Sequence, residues 1–296
     1  MVSAYDVRRL KDDFIDLCKE YKKTAVLLLD SGGYEDSRIR RYAGGKAPSW
    51  SFADFQSICE LKIYDFVFSY DVYWRDDDNP DETVSDFELR LVSEVFGSHQ
   101  FIENSQLIPV VHLHAWRDES LRLDESQIRN LVSRIASECK SPFIAIPERE
   151  LGDGIVNRAR LTKVICQEIA KTSKNSVGLH VLGCGNTLSF AFLSVAGAKM
   201  ADGLEWYQTF AANDFHLHHF HHQPVFDGAS DVYNPVADWI LANDLPYPVK
   251  VATSNLLSFQ TFSADLAPRL QAKTVNALVS KTFGRKVGTA LQALEQ

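Results

Sequence analysis

The chain lacks several features that would narrow its class at once. No apolar run among its 296 residues reaches the ~20 needed to span a bilayer as a helix, so no membrane-spanning helix is expected. The opening segment, M-V-S-A-Y-D-V-R-R-L-K-D-D-F, is charged where a secretory leader would be apolar, so the expected location is cytoplasmic. Cysteine is sparse and scattered: Cys18, Cys59, Cys139, Cys166 and Cys184 show no C-x-x-C or C-x-C spacing. This argues against a cysteine zinc cluster and against a secreted disulfide framework. Basic residues are in deficit, with 31 Lys+Arg against 39 Asp+Glu and a formal net charge of −8. Phosphate contacts draw on Lys, Arg or backbone donors, so a tRNA-sized footprint is disfavoured. One basic cluster, Arg38, Arg40, Arg41 and Lys46, reads either as a local anion patch or as a solvated loop. No G-x-G-x-x-G or G-x-x-x-x-G-K motif follows the first apolar run, which weakens a nucleotide-binding doubly wound fold. Gly183-Cys184-Gly185 is only a fragment of such a pattern.

What remains is an ordinary globular composition, 45% hydrophobic and 24% charged, in a chain long enough to bury a large core. Short β-branched or apolar runs alternate with amphipathic stretches, the pattern of βαβ units around a parallel sheet. Strands are expected at 25–29, 66–69, 108–113, 143–146, 179–182 and 204–206, with a later one at 249–253. Helical spacing of Ile128, Leu131, Val132, Ile135 and Cys139 predicts a helix over 125–140, and a second is predicted over 155–172. No repeat or low-complexity linker divides the chain, so one domain over 1–296 is expected. Its organisation is α/β, either an open doubly wound sheet or a closed barrel.

The residues after each expected strand are unusually polar. Leu27-Leu28-Leu29 runs into Asp30-Ser31-Gly32-Gly33-Tyr34, and Phe66-Val67-Phe68-Ser69-Tyr70 ends in Asp71. Val110-Val111 leads to His112 and His114, and Ala145-Ile146-Pro147 to Glu148. His180-Val181-Leu182 leads to Gly183-Cys184-Gly185, and Met200-Ala201 to Asp202 and then Glu205. An Asp after a strand is commonly a helix N-cap, but so many carboxylates strain that explanation. In a parallel barrel such positions converge on one mouth. Two facing carboxylates there support retaining displacement at a sugar carbon, one attacking the anomeric centre and the other moving a proton. Gly32-Gly33 lets a flat ring approach the backbone, and Tyr34 is placed to stack on it.

These motifs resemble those of the tRNA-guanine transglycosylase family. Asp30-Ser31-Gly32-Gly33-Tyr34-Glu35 is similar to D-S-G-G-F/Y-Q, and Asp71 in S-Y-D-V falls where the family reads guanine. V-V-H-L-H matches V-Q-G-G, I-P-E-R-E-L-G-D-G matches G-G-L-A-V-G-E, and L-H-V-L-G-C-G-N matches Y-L-M-G-V-G-T. G-A-K-M-A-D-G-L-E-W matches G-V-D-M-F-D-C-V, and T-S-N-L-L-S-F looks like the H-N-L segment; together they cover roughly 24–270. The resemblance implies a (β/α)8-type TIM barrel with altered or missing N-terminal units. It makes Asp202 the nucleophile and Asp30 the general acid/base. Asp71 becomes the reader of the guanine edge, and Gly183 and Gly185 line the base pocket. Ser31, Gly32, Gly33, Tyr34, His112, His114, Glu148, Cys184 and Glu205 complete the expected substrate-binding set. For Cys184 the plainer reading is a small buried hydrophobe.

The departures are equally informative. The family's C-x-C-x-x-C zinc ligands are absent and Ser254 stands in place of the H-N-L histidine, so no metal or other cofactor is expected. The base-reading Gln appears as His112. One helix, 5–22, precedes the first motif; 207–247 replaces the zinc region as a variable insertion, and helices are expected over 262–296. Short zinc-free members similar to this chain occur in bacterial anti-phage (CBASS) operons. That implies a guanine or 7-deazaguanine ligand and a protein partner such as a defence nucleotidyltransferase, with tRNA disfavoured. The run His216-Leu217-His218-His219-Phe220-His221-His222, with Asp227, has ligand-like spacing but reads more simply as a polar rim or aromatic packing. Two other functions stay open. One is a base- or partner-binding module without turnover. The other is a retaining glycosidase, which would use Trp74, Trp116 and Trp206 in a sugar cleft.

Overall fold

The computed structural model describes residues 1–33, 50–75, 78–115, 118, 120–203, 209–211, 217–219 and 247–295. Tyr34, Glu205, Trp116, Trp206, the 38–46 basic cluster, the expected strand at 204–206, His216, His221, His222 and Asp227 lie outside the described residues, as does most of 207–247. The chain falls into two compact units, Met1–Glu150 with Val164–His180, and Leu151–Lys163 with Val181–Gln296.

In the first unit, β1 (Val2–Ser3), β2 (Leu28–Asp30), β3 (Phe66–Phe68) and β4 (Leu107–Ile108) pair side by side in chain order, every pair parallel. The register aligns Val2 with Leu29, Leu29 with Val67, and Val67 with Leu107. Beyond β4 the ladder passes to β5 (Phe143–Pro147) through a parallel bridge between Val110 and Ala145. Ala145 donates to Pro109 O at 2.8 Å and Val111 donates to Ala145 O at 2.9 Å. The start of β6 (Gly178–Leu182) follows, with Gly178 donating to Pro142 O at 2.8 Å. Leu29, Val67, Phe68, Ile108, Ile144, Ala145 and Ile146 are all buried, as strands covered on both faces require.

Helices alternate with these strands: α1 (Ala4–Lys22), α2 (Phe52–Cys59), α3 (Val84–Gly97), α4 (Glu125–Glu138) and α5 (Ile155–Thr172). Their starts are encoded locally. Ser51 and Asp54, and likewise Asp124 and Gln127, form reciprocal capping boxes, and Thr83 caps α3 by accepting from Asp86 N. The predicted helix over 125–140 is α4, with Ile128, Leu131, Val132, Ile135 and Ala136 buried; that over 155–172 is α5. Helix α1 is kinked at Lys11, whose φ of 57° breaks the helical run.

The second unit holds the end of β6 beside β7 (Met200–Ala201), where Asp202 N donates to Val181 O at 3.3 Å. It also holds α6 (Thr187–Val195) and a short antiparallel pair, β8 (Thr209–Ala211) with β9 (Leu217–His219). Helices α7 (Tyr247–Ala272), α8 (Val275–Phe283) and α9 (Arg285–Glu295) complete it. The strand expected at 249–253 is instead the first turns of α7. The run Val249–Thr253 is short and rich in β-branched residues, but Ala252, Asn255, Ser258, Phe262 and Leu266 are buried at three- and four-residue intervals. Tertiary packing at helical period overrides a short β-branched run.

Across the described residues, the architecture is α/β with parallel sheets, and no described helix is long and apolar enough to cross a membrane. The second unit's core centres on Phe192 and Phe262, packed with Ala159, Ala191, Leu266, Val279 and Leu291. Phe192→Ala should destabilise the protein by about 3–5 kcal/mol, the usual cost of emptying a buried phenylalanine site. Urea denaturation of the full chain would measure it.

Candidate functional site

The site in the first unit grows from the turn that ends β2. Asp30 Oδ2 accepts Gly32 N–H at 3.1 Å, folding the chain sharply, and Ser31 Oγ accepts Gly33 N–H at 3.3 Å. Ser31 is buried, and its carbonyl accepts Trp50 Nε1–H at 2.9 Å. Gly32 sits at φ +80°, where a side chain would be strained and would press on Tyr5 and Trp50. At Gly33 the reason for glycine is different: a Cβ there would lie 1.8 Å from Asp71 Oδ2. The D-S-G-G turn is thus pressed onto the carboxylate at the end of β3, and Ser31 Oγ reaches Asp71 Oδ2 at 3.5 Å.

The segment carrying Asp71 is tethered on both sides. Upstream, Ser69 Oγ accepts Val110 N–H at 2.9 Å, and Tyr70 N–H donates to His99 Nε2 at 3.0 Å. His99 is buried, which lowers its pKa, and its Nδ1 faces Glu94 O at 3.0 Å. The neutral Nδ1–H tautomer satisfies both contacts. Downstream, Arg90 on α3 forms a fork with Glu82 at 2.7 and 2.9 Å and donates to Tyr73 O at 2.6 Å. Glu82 Oε2 also accepts Arg75 N–H at 3.2 Å, and its backbone carbonyl accepts Trp74 Nε1–H at 2.9 Å. Trp74 is buried, with the Arg75 guanidinium 4.8 Å from its ring centre. It is a packing residue of this loop.

Beyond β4 the chain presents His112 and His114 on the same side of an extended stretch. His112 lies between two carboxylates, with Nδ1 2.8 Å from Glu150 Oε1 and Nε2 3.3 Å from Asp71 Oδ1. Tyr73 stacks on its ring at 3.8 Å between centres. Glu150 comes from a short 3-10 turn, Glu148–Leu151, after β5; its side chain is fully enclosed, and Oε2 accepts Leu113 N–H at 2.6 Å. His114 Nδ1 donates to Ala115 O at 2.7 Å. Its Nε2 lies 3.2 Å from Glu150 Oε1, within ion-pair reach but off the hydrogen-bonding direction. Burial favours the neutral form of His112, but Glu150 and Asp71 outweigh it and lift its pKa to about 9. His114 is likewise raised, Glu150 opposing the effect of burial. For Glu150 burial would raise the pKa, yet the two imidazoles hold it far below the usual carboxylate range.

The second unit gathers the other expected residues. Gly183 lies at φ +75° after β6, followed by the buried Cys184 and then Gly185. A Cβ on Gly203 would fall 2.5 Å from Gly185 Cα, so the turn after β6 and the Asp202-Gly203 segment after β7 touch backbone to backbone. Asp202 is half-buried there.

The structure therefore joins Ser31, Gly33, Asp71 and His112 around one carboxylate in the first unit, with Asp30 and Gly32 shaping the turn. It joins Gly185 to the Asp202 segment in the second. Glu148 is buried at the head of the 3-10 turn, but the carboxylate that reaches His112 belongs to Glu150. Glu150 and Tyr73 were not singled out from sequence. The available signals were the E-R-E spacing, and Tyr73 two residues beyond Asp71 on an extended stretch. Among the described residues no cluster of three or more His, Cys, Asp or Glu side chains is arranged to hold a metal ion. Ser254 lies on α7, and His218 and His219 on β9.

A scan of protein-family models finds no match to the chain, and a search of curated proteins finds none either.

Because His112 binds its proton more tightly folded than unfolded, its stabilisation is complete below its unfolded value, near 6.5, and is lost as pH rises through about 9. The loss should be on the order of 3 kcal/mol. Thermal or urea unfolding between pH 6 and 10 should show the decline, and His112→Gln should flatten it. An equal slope in that variant would assign the effect elsewhere.

Proposed function

We propose that the protein binds guanine or a 7-deazaguanine at Asp71, in the manner of a tRNA-guanine transglycosylase-like protein, and acts on a substrate other than tRNA. The observation that carries this reading is the Asp71 carboxylate, wedged against the side-chain-free edge of Gly33 with His112 beside it. A carboxylate accepts two adjacent N–H donors as a pair, and guanine offers N1–H and N2–H side by side. Gly33 lets the D-S-G-G backbone close against Asp71, an approach that any larger residue would remove. The strand order supports the barrel form of this fold. A sheet that adds each parallel strand in sequence has no reversal point, which suits a singly wound (β/α) barrel better than a doubly wound sheet.

The family resemblance would make Asp202 the group that attacks the anomeric carbon as the bond to the departing base breaks, and Asp30 the group that supplies the proton the base takes with it. An incoming base then reverses the sequence, releasing Asp202 and returning a proton to Asp30. The chemistry needs two carboxylates and no cofactor. The acidic balance favours a protein partner over a polynucleotide, and a deazaguanine-modified partner such as a defence nucleotidyltransferase fits it. The cytoplasm is the matching compartment. A sugar cleft is less well supported, since Trp74 is buried with its N–H already bonded.

Calorimetry with guanine and 7-deazaguanine tests the base reading. Asp71→Asn should weaken binding roughly 10- to 100-fold, the loss of charge-assisted hydrogen bonds; unchanged affinity would remove the assignment. Turnover predicts a covalent adduct, trapped by mass spectrometry, that disappears in Asp202→Ala. Tight base binding with no adduct would leave a binding module.

A further inference from the structure

Position 112 is histidine where an amide would serve to read a base, and its surroundings decide what that histidine presents. Four titratable groups face the ring: Glu150 from the turn after β5, Asp71 from the loop after β3, Tyr73 stacked from that same loop, and His114 from its own stretch. A neutral imidazole has one donor and one acceptor. Flanked by two carboxylates, either neutral tautomer would set a nitrogen lone pair against a carboxylate oxygen, at 2.8 or 3.3 Å. Between two carboxylates the doubly protonated ring satisfies both neighbours.

The two contacts are not equivalent. Glu150 is immobilised: its side chain is fully enclosed, and both oxygens are engaged, by Leu113 N–H and by His112. Its hold on Nδ1 is short. The contact from Nε2 to Asp71 is long for a charge-assisted hydrogen bond, which ordinarily measures about 2.7–2.9 Å. Asp71 is also the more exposed of the two carboxylates, at 16% against 0% for Glu150. The Nε2–H is therefore the donor that can be shared with a ligand.

We infer that Glu150 is a positioning residue: by accepting Nδ1–H it fixes the His112 ring so that Nε2–H stands beside the Asp71 carboxylate, and the site presents an acceptor pair next to one donor. Such an edge matches a 6-oxo-2-aminopurine or its 7-deaza form, whose N2–H and N1–H face Asp71 while O6 accepts from His112. It disfavours a 6-aminopurine, which offers a donor at that third position. This rests on the base-binding reading for its ligand, but the state of the ring is a separate matter.

Two measurements on the full chain keep the two apart. Long-range 15N–1H correlation of the histidine rings at pH 7 should show His112 with both nitrogens protonated, and a neutral ring in Glu150→Gln. A neutral His112 in the wild type, or an unchanged ring in Glu150→Gln, would overturn the role of Glu150 whatever the ligand. Calorimetry with free guanine between pH 6 and 8 should then give constant affinity for the wild type. Glu150→Gln should show a fall of at least tenfold across that range. A flat profile in Glu150→Gln would also overturn the inference. If Glu150→Gln does not fold, Glu150→Asp serves instead: its shorter side chain should loosen the hold on Nδ1 and lower the pH at which the His112 ring loses its second proton, and an unchanged titration would overturn the role of Glu150. Wild-type protein that shows the doubly protonated ring but does not bind guanine would refute the base reading and leave Glu150 as the residue that fixes His112.

Discussion

A buried charge set at the strand ends, Glu150 with His112 and Asp71, constrains what surrounds it. Ionised groups removed from water are destabilising unless their partners are close and their remaining hydrogen-bonding capacity is filled. Here the cation lies between two anions, and the enclosed anion also receives a backbone N–H from Leu113. For these contacts to form, the chain after β3, the chain after β4 and the turn after β5 must arrive in register. The parallel pairing of β3 with β4, and the bridge from Val110 to Ala145, bring those three strand ends to the same edge. Short strands suffice because the loops beyond them are pinned by side chains: His99 and Arg90 hold one, Glu150 another.

This arrangement explains which parts of the fold were legible in the sequence. Helices α4 and α5 announce themselves by apolar spacing and, for α4, by a capping box, all local signals. The strands at 66–69, 143–146 and 179–182 stand out as compact apolar runs because both of their faces are buried. By contrast, β4 is only two residues long where 108–113 was expected; past Ile108 the chain makes single bridges while its side chains turn to the charge set. The segment at 249–253 misled because β-branching is a local preference, whereas the helical stripe from Ala252 to Leu266 becomes visible only over a longer window.

Sequence reading singles out polar side chains that follow apolar runs and passes over those that hold them in place. Asp30, Asp71, His112 and Asp202 are polar groups after apolar runs, which is a readable anomaly. Glu150 is not anomalous in sequence: it is the second acid of E-R-E, and only the 3-10 turn decides that it, and not Glu148, reaches His112. Gly33 and Gly203 are similar cases. The need for each is set by a chain segment distant in sequence, Asp71 for one and Gly185 for the other, so their roles become clear only once the backbones meet.

The electrostatics of the first unit also bear on what kind of ligand the site suits. A polynucleotide would bring many phosphates to a chain whose formal charge is already −8, and repulsion would oppose every contact not matched by a local cation. A neutral planar base brings no such penalty. On the proposed reading it asks for a carboxylate with a donor beside it. Asp71, His112 and Gly33 meet from three separate stretches of chain, with Asp71 Oδ2 against the Gly33 backbone and Oδ1 3.3 Å from His112 Nε2. The proposed ligand, a single uncharged base, avoids this repulsion, whereas each phosphate of a polynucleotide would need its own local cation.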